Sequence, residues 1–135
     1  MKKFLSTRLY APDLSLLLLR LSFGGLMAVN HGWGKLGKLT SGADIKFFDI
    51  GIGAEASLAL AVLGELVCAA LLAAGLFTRF AAAALVITMA VAVFGAHGDD
   101  VFGDGEHALM FLIGYLVILI TGPGKYSADK GILKK

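Results

Sequence analysis

Hydrophobic residues run along the chain in four long stretches separated by polar or glycine-rich breaks. A membrane-spanning helix needs about 20 mostly apolar residues. The pattern therefore predicts spans over about 14–30, 56–77, 80–96 and 107–121. The fourth is short, so it draws on Glu106 and the loop before it or crosses a thin or protein-packed region. Only Thr78 and Arg79 separate the second and third runs, which predicts an αα-hairpin of antiparallel neighbours. Between the first and second, Gly32, Gly34, Gly37 and Gly42 interrupt a stretch that still carries Trp33, Leu36, Phe47 and Phe48. That mixture predicts a short interfacial element with Trp33 at headgroup depth, or a loop capping the bundle. Small residues recur at i and i+4: Gly24 with Ala28, Ala69 with Ala73, and Ala84, Thr88, Ala92 and Ala96. Such stripes let helices approach closely where no water drives them together. The expected fold is all-α, an integral membrane four-helix bundle formed by a single domain over 1–135.

Composition sharpens this picture. In 135 residues, 58% are hydrophobic and 16% charged, with a mean hydropathy of +0.83. A soluble domain of this size leaves too much surface in water to hide so much apolar area. Disorder, coiled coil and nucleic-acid binding are excluded with it, and the lipid bilayer is the first expected partner. The net charge of +2 reflects lysines clustered at the chain ends rather than a basic binding face.

Lys and Arg placement predicts orientation. Lys2, Lys3 and Arg8 precede the first span, Arg79 lies between the second and third, and Lys125, Lys130, Lys134 and Lys135 follow the fourth. The stretch His97 to Glu106 carries Asp99, Asp100, Asp104 and Glu106 with no Lys or Arg. The loop from His31 to Glu55 is ambiguous by itself, with Lys35, Lys38 and Lys46 against Asp44, Asp49 and Glu55, and an even number of spans places it outside. The expectation is that both termini are cytoplasmic and the acidic loop is outside. The N-terminus imitates a signal peptide, but Arg20 interrupts the apolar core and no small-x-small cleavage site follows before Asn30, so an uncleaved span is expected. The single cysteine, Cys68, reads as a buried filler.

Ionisable residues inside spans mark function or a structural pair. Counted inward from His31, Arg20 lies about 16 Å deep; counted from Ala56, Glu65 lies about 13 Å deep. The matching depths predict an Arg20–Glu65 ion pair, which would either fix helix register or form part of a site. Arg20, Gly24, Met27 and His31 share one helical face, spaced by 4, 3 and 4. The three histidines, His31, His97 and His107, all fall at helix ends near the outer surface, with Glu106 and the aspartates in the same layer. No ligand spacing of an HExxH or calcium-loop kind occurs, and no metal is expected there. A bis-histidine haem and plain solvated histidines are further readings. A quinone headgroup would suit His31 or His107 with Glu65 or Glu106, since it needs two polar contacts at the edge of an apolar slot, one able to move a proton. The slot is expected between spans one, two and four, walled by Met27, Met110 and Phe111.

At these residues the sequence resembles the DoxX family of small bacterial membrane proteins. The matching pieces are Leu16 to Arg20 with Gly24, His31-Gly-Trp-Gly-Lys35-Leu36, Gly64-Glu65-Leu66, Gly75-Leu-Phe-Thr-Arg79, His97, Gly105-Glu106, and Gly122-Pro-Gly-Lys-Tyr126-Ser-Ala-Asp129. Gly53-Ala54 stands where the resemblance leads one to expect a proline. The resemblance implies a four-helix subunit of the bacterial inner membrane associated with redox proteins, including the small membrane subunit of thiosulfate:quinone oxidoreductase-like complexes. It points to Arg20, His31, Glu65, Arg79, His97 and Glu106.

The leading expectation is a quinone-interacting membrane subunit or anchor of an oxidoreductase. The sequence has no GxGxxG fingerprint, no cysteine set for an iron–sulfur cluster and no redox cysteine pair, so electrons would come from redox partner proteins or the quinone. A non-catalytic scaffold, a small transporter or lipid-interacting protein, and a homo-oligomer remain alternatives on sequence alone.

Overall fold

The computed structural model describes residues 11–133; Lys2, Lys3, Arg8, Lys134 and Lys135, used above for orientation, lie outside the described residues. Among the described residues the chain forms helices and no strands. Three helices are long and apolar enough to cross a membrane: α1 (Pro12–Thr40), α2 (Ala54–Ala74) and α3 (Thr78–Ala96). A shorter apolar helix, α4 (Glu106–Thr121), follows, and α5 (Ala128–Ile132) closes the described chain. In the bundle α1 packs on α2, α2 on α3, α3 on α4, and α4 back on α1. Leu58, Ala69, Leu72, Ala81, Leu85, Val93 and Ile118 are fully buried between them. Leu18, Val29, Phe80, Ile87, Phe94 and Ile120 face outward, as an apolar surface in lipid requires.

α1 departs most from the sequence pattern. It does not stop near Asn30 but continues for 29 residues, through a π-helical turn over Met27–Gly32 and on through Trp33–Thr40. Of the glycines that looked like breaks, Gly32 permits contact instead, Gly34 and Gly37 lie within the helix against nothing, and Gly42 lies past its end. A Cβ on Gly24 would lie 2.6 Å from the Ala69 carbonyl oxygen, and one on Gly32 2.5 Å from that of Glu65. Close backbone approach in a bundle favours such small residues. No separate interfacial element therefore begins at Trp33. Irregular chain is confined to 41–53, where the Phe48 ring packs against Gly95 and Asp49 Oδ1 accepts hydrogen bonds from the Gly51, Ile52 and Gly53 amides. α2 then starts at Ala54 after Gly53, whose φ of 98° turns the chain without a proline.

α2 ends at Ala74, three residues before the expected Phe77, in a Schellman turn. Leu76 N–H bonds the Leu71 carbonyl, and Gly75 N–H bonds that of Leu72. Gly75 has φ 73°, and a Cβ there would collide with the Arg20 guanidinium. The start of α1, this turn and the chain after α4 meet at one end of the bundle, here the terminal end. Segments 41–53 and 97–105 lie at the other, the loop end.

Candidate functional site

At the terminal end, Arg20 is fully buried. Its Nη1 donates to the Leu72 and Ala73 carbonyls (3.3 and 3.1 Å), and its Nη2 to the Tyr126 carbonyl (2.8 Å). A cation thereby bonds the Ala73 carbonyl and adds a second donor to that of Leu72 at the negative end of α2. Asp129 does the reverse for α3: its carboxylate accepts from the Phe77 and Thr78 amides at 2.7 and 2.8 Å. Burial pushes the Asp129 carboxyl up, but the Thr78 and Phe77 amides and the Arg20 charge outweigh it and hold the group below the usual carboxylate range. Phe77 is held in the left-handed region, φ 47°, by the same contact. These residues form a clamp between the C-terminal segment and the α2–α3 turn.

The expected Arg20–Glu65 pair is therefore not formed, and the reason is the length of α1. Its loop end lies at Thr40, not His31, so Arg20 sits 20 residues, about 30 Å, from that end, while Glu65 is 11 residues, about 16 Å, from the start of α2. Glu65 pairs with Lys35 instead, whose Nζ donates to both carboxylate oxygens at 2.5 Å. The Glu65 side chain is 4% exposed and that of Lys35 24%. The ammonium also lies 5.5 Å from the centre of the Phe47 ring, a cation–π contact from segment 41–53. Lys35 was missed as a partner although it stands four residues beyond His31. Extending the Arg20, Gly24, Met27, His31 spacing by one more turn would have found it.

The three histidines do converge. His31 of α1, His97 just after α3 and His107 of α4 line one cavity of about 320 Å³, together with Asp104 from the intervening loop. Met27, Met89, Ala92, Ala108 and Phe111 complete the wall. His31 and His97 are half-buried, whereas Asp104 and His107 are exposed, so the cavity runs from an apolar floor to a polar mouth at the loop end. Met27 and Met89, 2% and 3% exposed, form that floor. The His31 ring meets Phe111 edge-on at 5.8 Å, and Phe111 joins Phe23 and Tyr115 in an aromatic cluster. Tyr115 anchors the cluster by donating its hydroxyl to the Phe23 carbonyl at 3.1 Å.

This cavity lies between α1, α3 and α4, not between spans one, two and four. α2 contributes no wall residue, and neither Glu65 nor Glu106 lines it; Glu106 is exposed at the first turn of α4. Met110, expected in the wall, is 58% exposed and points away, and Met89 takes its place. Arg79 is exposed at the terminal end beside Gly122, and Cys68 is buried. Among the described residues no three His, Cys, Asp or Glu side chains are grouped closely enough to hold a metal ion.

The DoxX family model matches residues 15–98, from the first turns of α1 to just past His97. The chain belongs to the DoxX family. No curated protein and no solved structure matches the chain. The DoxX match takes in Arg20, His31, Lys35, Glu65 and His97, while Asp104, His107 and Phe111 lie beyond it. This DoxX protein is a membrane protein with two separate polar centres, the Lys35–Glu65 pair and the histidine-rimmed cavity.

Proposed function

We propose that this protein is a membrane subunit of an oxidoreductase complex that receives a quinone headgroup in the cavity lined by His31, His97 and His107. The observation that supports this reading is the cavity itself. Its volume of about 320 Å³ lies at the small end of ligand pockets, a size for a headgroup rather than a whole lipid. Its floor of Met27, Met89 and Phe111 offers an apolar, polarisable surface to a ring, and its imidazoles offer N–H donors to two oxygens. A bound quinone supplies two-electron, two-proton chemistry. His31, held against Phe111, and His107 at the mouth would supply the N–H donors that hold its two oxygens.

The Lys and Arg placement supports insertion in a bacterial inner membrane with the terminal end cytoplasmic. Arg79, Lys125 and Lys130 lie at that end, whereas at the other Lys38 and Lys46 are outnumbered by Asp44, Asp49, Glu55, Asp99, Asp100, Asp104 and Glu106. Electrons would reach the site from a redox partner protein, because the sequence carries no nucleotide fingerprint or cluster ligands.

The test is quinone extracted from purified wild type and His31→Gln, combined with thermal-shift titration by a soluble quinone analogue. Copurified quinone and a saturable shift in wild type, both reduced in the variant, are expected. No quinone and no shift would leave the scaffold reading.

A further inference from the structure

All three histidines of the chain line one cavity, and their exposure differs. His31, next to Phe111, and His97 are half-buried; His107 and Asp104 are open to solvent at the loop end. Toward the terminal end the cavity is sealed. Met27 and Met89 form the floor, and the fully buried Leu85 and Tyr115 lie beyond it in the same core cluster. Gly24 brings α1 into backbone contact with Ala69 and Ala73, which closes the α1–α2 seam. The apolar side chains of this floor offer no group that passes on a proton, and the Tyr115 hydroxyl is committed to the Phe23 carbonyl.

We propose that His31 exchanges its proton only with water that enters the cavity from the loop end, past the mouth lined by His97, His107 and Asp104, so that ligand affinity in the cavity follows the pH on that side alone. The inference rests on the quinone reading for its ligand but not for its proton route. Imidazole is the side chain that changes charge between pH 5 and 8. Protonated, it has two N–H donors and no acceptor, and a quinone oxygen is only an acceptor. Affinity should therefore be highest with His31 protonated.

The charged groups facing His31 from each packed element agree with a route toward the loop end. From α1 itself, Lys35 is committed to Glu65. From α2, Glu65 is turned to Lys35 and does not line the cavity. From the α3 end and the following loop come His97 and Asp104, and from α4 His107. Asp99, Asp100 and Glu106 surround the mouth without lining it and favour cations there. The buried charges at the terminal end, Arg20 and Asp129, are occupied with the helix ends of α2 and α3.

The experiment uses full-length protein in vesicles whose lumen and bath are buffered separately. Orientation is read from the access of an impermeant thiol reagent to Lys130→Cys, at the terminal end. Two readouts are taken between pH 5.5 and 8: affinity for a soluble quinone analogue, and the rate at which diethylpyrocarbonate modifies His31, scored by mass spectrometry. Affinity is expected to fall about tenfold as loop-side pH rises, the worth of one charge-assisted hydrogen bond over a neutral one. It should ignore the pH on the terminal side and lose its pH response in His31→Gln. The rate of His31 modification should rise with loop-side pH alone. An analogue that binds with no pH response, or a response to terminal-side pH in either readout, overturns the inference. If no analogue binds at any pH, the quinone reading falls, and the modification rate still decides the proton route.

Discussion

Lys35 reaches back along α1 and places its ammonium against both carboxylate oxygens of Glu65, in the middle of α2. The contact is possible because α1 remains helical past His31 and because Gly32 lets the two backbones touch beside Glu65. Two π-helical turns, Met27–Gly32 and Leu63–Cys68, meet there. Such turns recur at functional sites, where they re-aim side chains at the expense of regular helix bonding.

Removing one partner of this pair should cost more than removing both. Lys35→Met or Glu65→Leu alone leaves a charge uncompensated in a low-dielectric bundle, a loss of about 3–5 kcal/mol. The double variant should recover most of that loss. A double-mutant cycle by thermal or denaturant unfolding in detergent checks it, and purely additive losses would show that the two residues are not coupled.

The glycine contacts give a graded prediction. Gly24→Ala and Gly32→Ala place a methyl group against the backbone of α2 and should destabilise by about 1–3 kcal/mol. Gly25→Ala meets nothing within 4 Å and should be neutral or slightly stabilising as a better helix former. Comparison of the three midpoints in one detergent decides this; an equal loss at Gly25 would contradict the packing.

The terminal clamp predicts acid sensitivity. Asp129 has a folded pKa below its unfolded value, so its stabilisation is complete above about pH 4 and is lost as pH falls through the folded pKa. Asp129→Asn should cost about 1–3 kcal/mol at neutral pH, because the Phe77 and Thr78 amides lose a charged acceptor. Its stability should also fall less than that of wild type between pH 5 and pH 3. Parallel pH profiles of the two proteins would remove Asp129 as the acid-sensitive group.

Much of the fold was legible in the pattern of apolar runs, since membrane helices must satisfy their backbone internally and so show themselves as long stretches. That α2 and α3 form a hairpin was equally plain, because two apolar runs with a two-residue gap leave no other path, but the turn falls at 75–77 and not at Thr78 and Arg79, which open α3. What the pattern misread was glycine. Gly32, Gly34 and Gly37 look like breaks in water, yet in a bundle a glycine also permits contact, and Gly32 does so against Glu65. That error set the wrong depth for Arg20, produced the Arg20–Glu65 pair and hid Lys35. The convergence of His31, His97 and His107 was expected from helix-end positions, which holds for His97 and His107 only: α1 runs nine residues past His31, and it is the packing of α1 against α3 and α4 that brings His31 to the others. Which helices enclose them was not visible, since Met89 and Met110 are indistinguishable until helix rotation is known.

The proposed orientation, with the terminal end cytoplasmic, makes a direct prediction. A cysteine at Asp99 should react with an impermeant thiol reagent applied to the outside of intact cells, and one at Lys130 only after permeabilisation. Cys68 is buried and gives no background. The opposite labelling pattern would invert the topology and with it the side from which the cavity opens.

We propose that a quinone headgroup occupies the cavity between α1, α3 and α4. Photolabelling of the purified protein with an azido-quinone, followed by peptide mapping, tests it most directly. Labelled residues are predicted on the cavity wall, among Met27, His31, Met89, His107 and Phe111, and an excess of unlabelled analogue should suppress them. Labelling confined to α2 around Glu65, or spread over the lipid-facing surface and indifferent to competitor, would contradict the account.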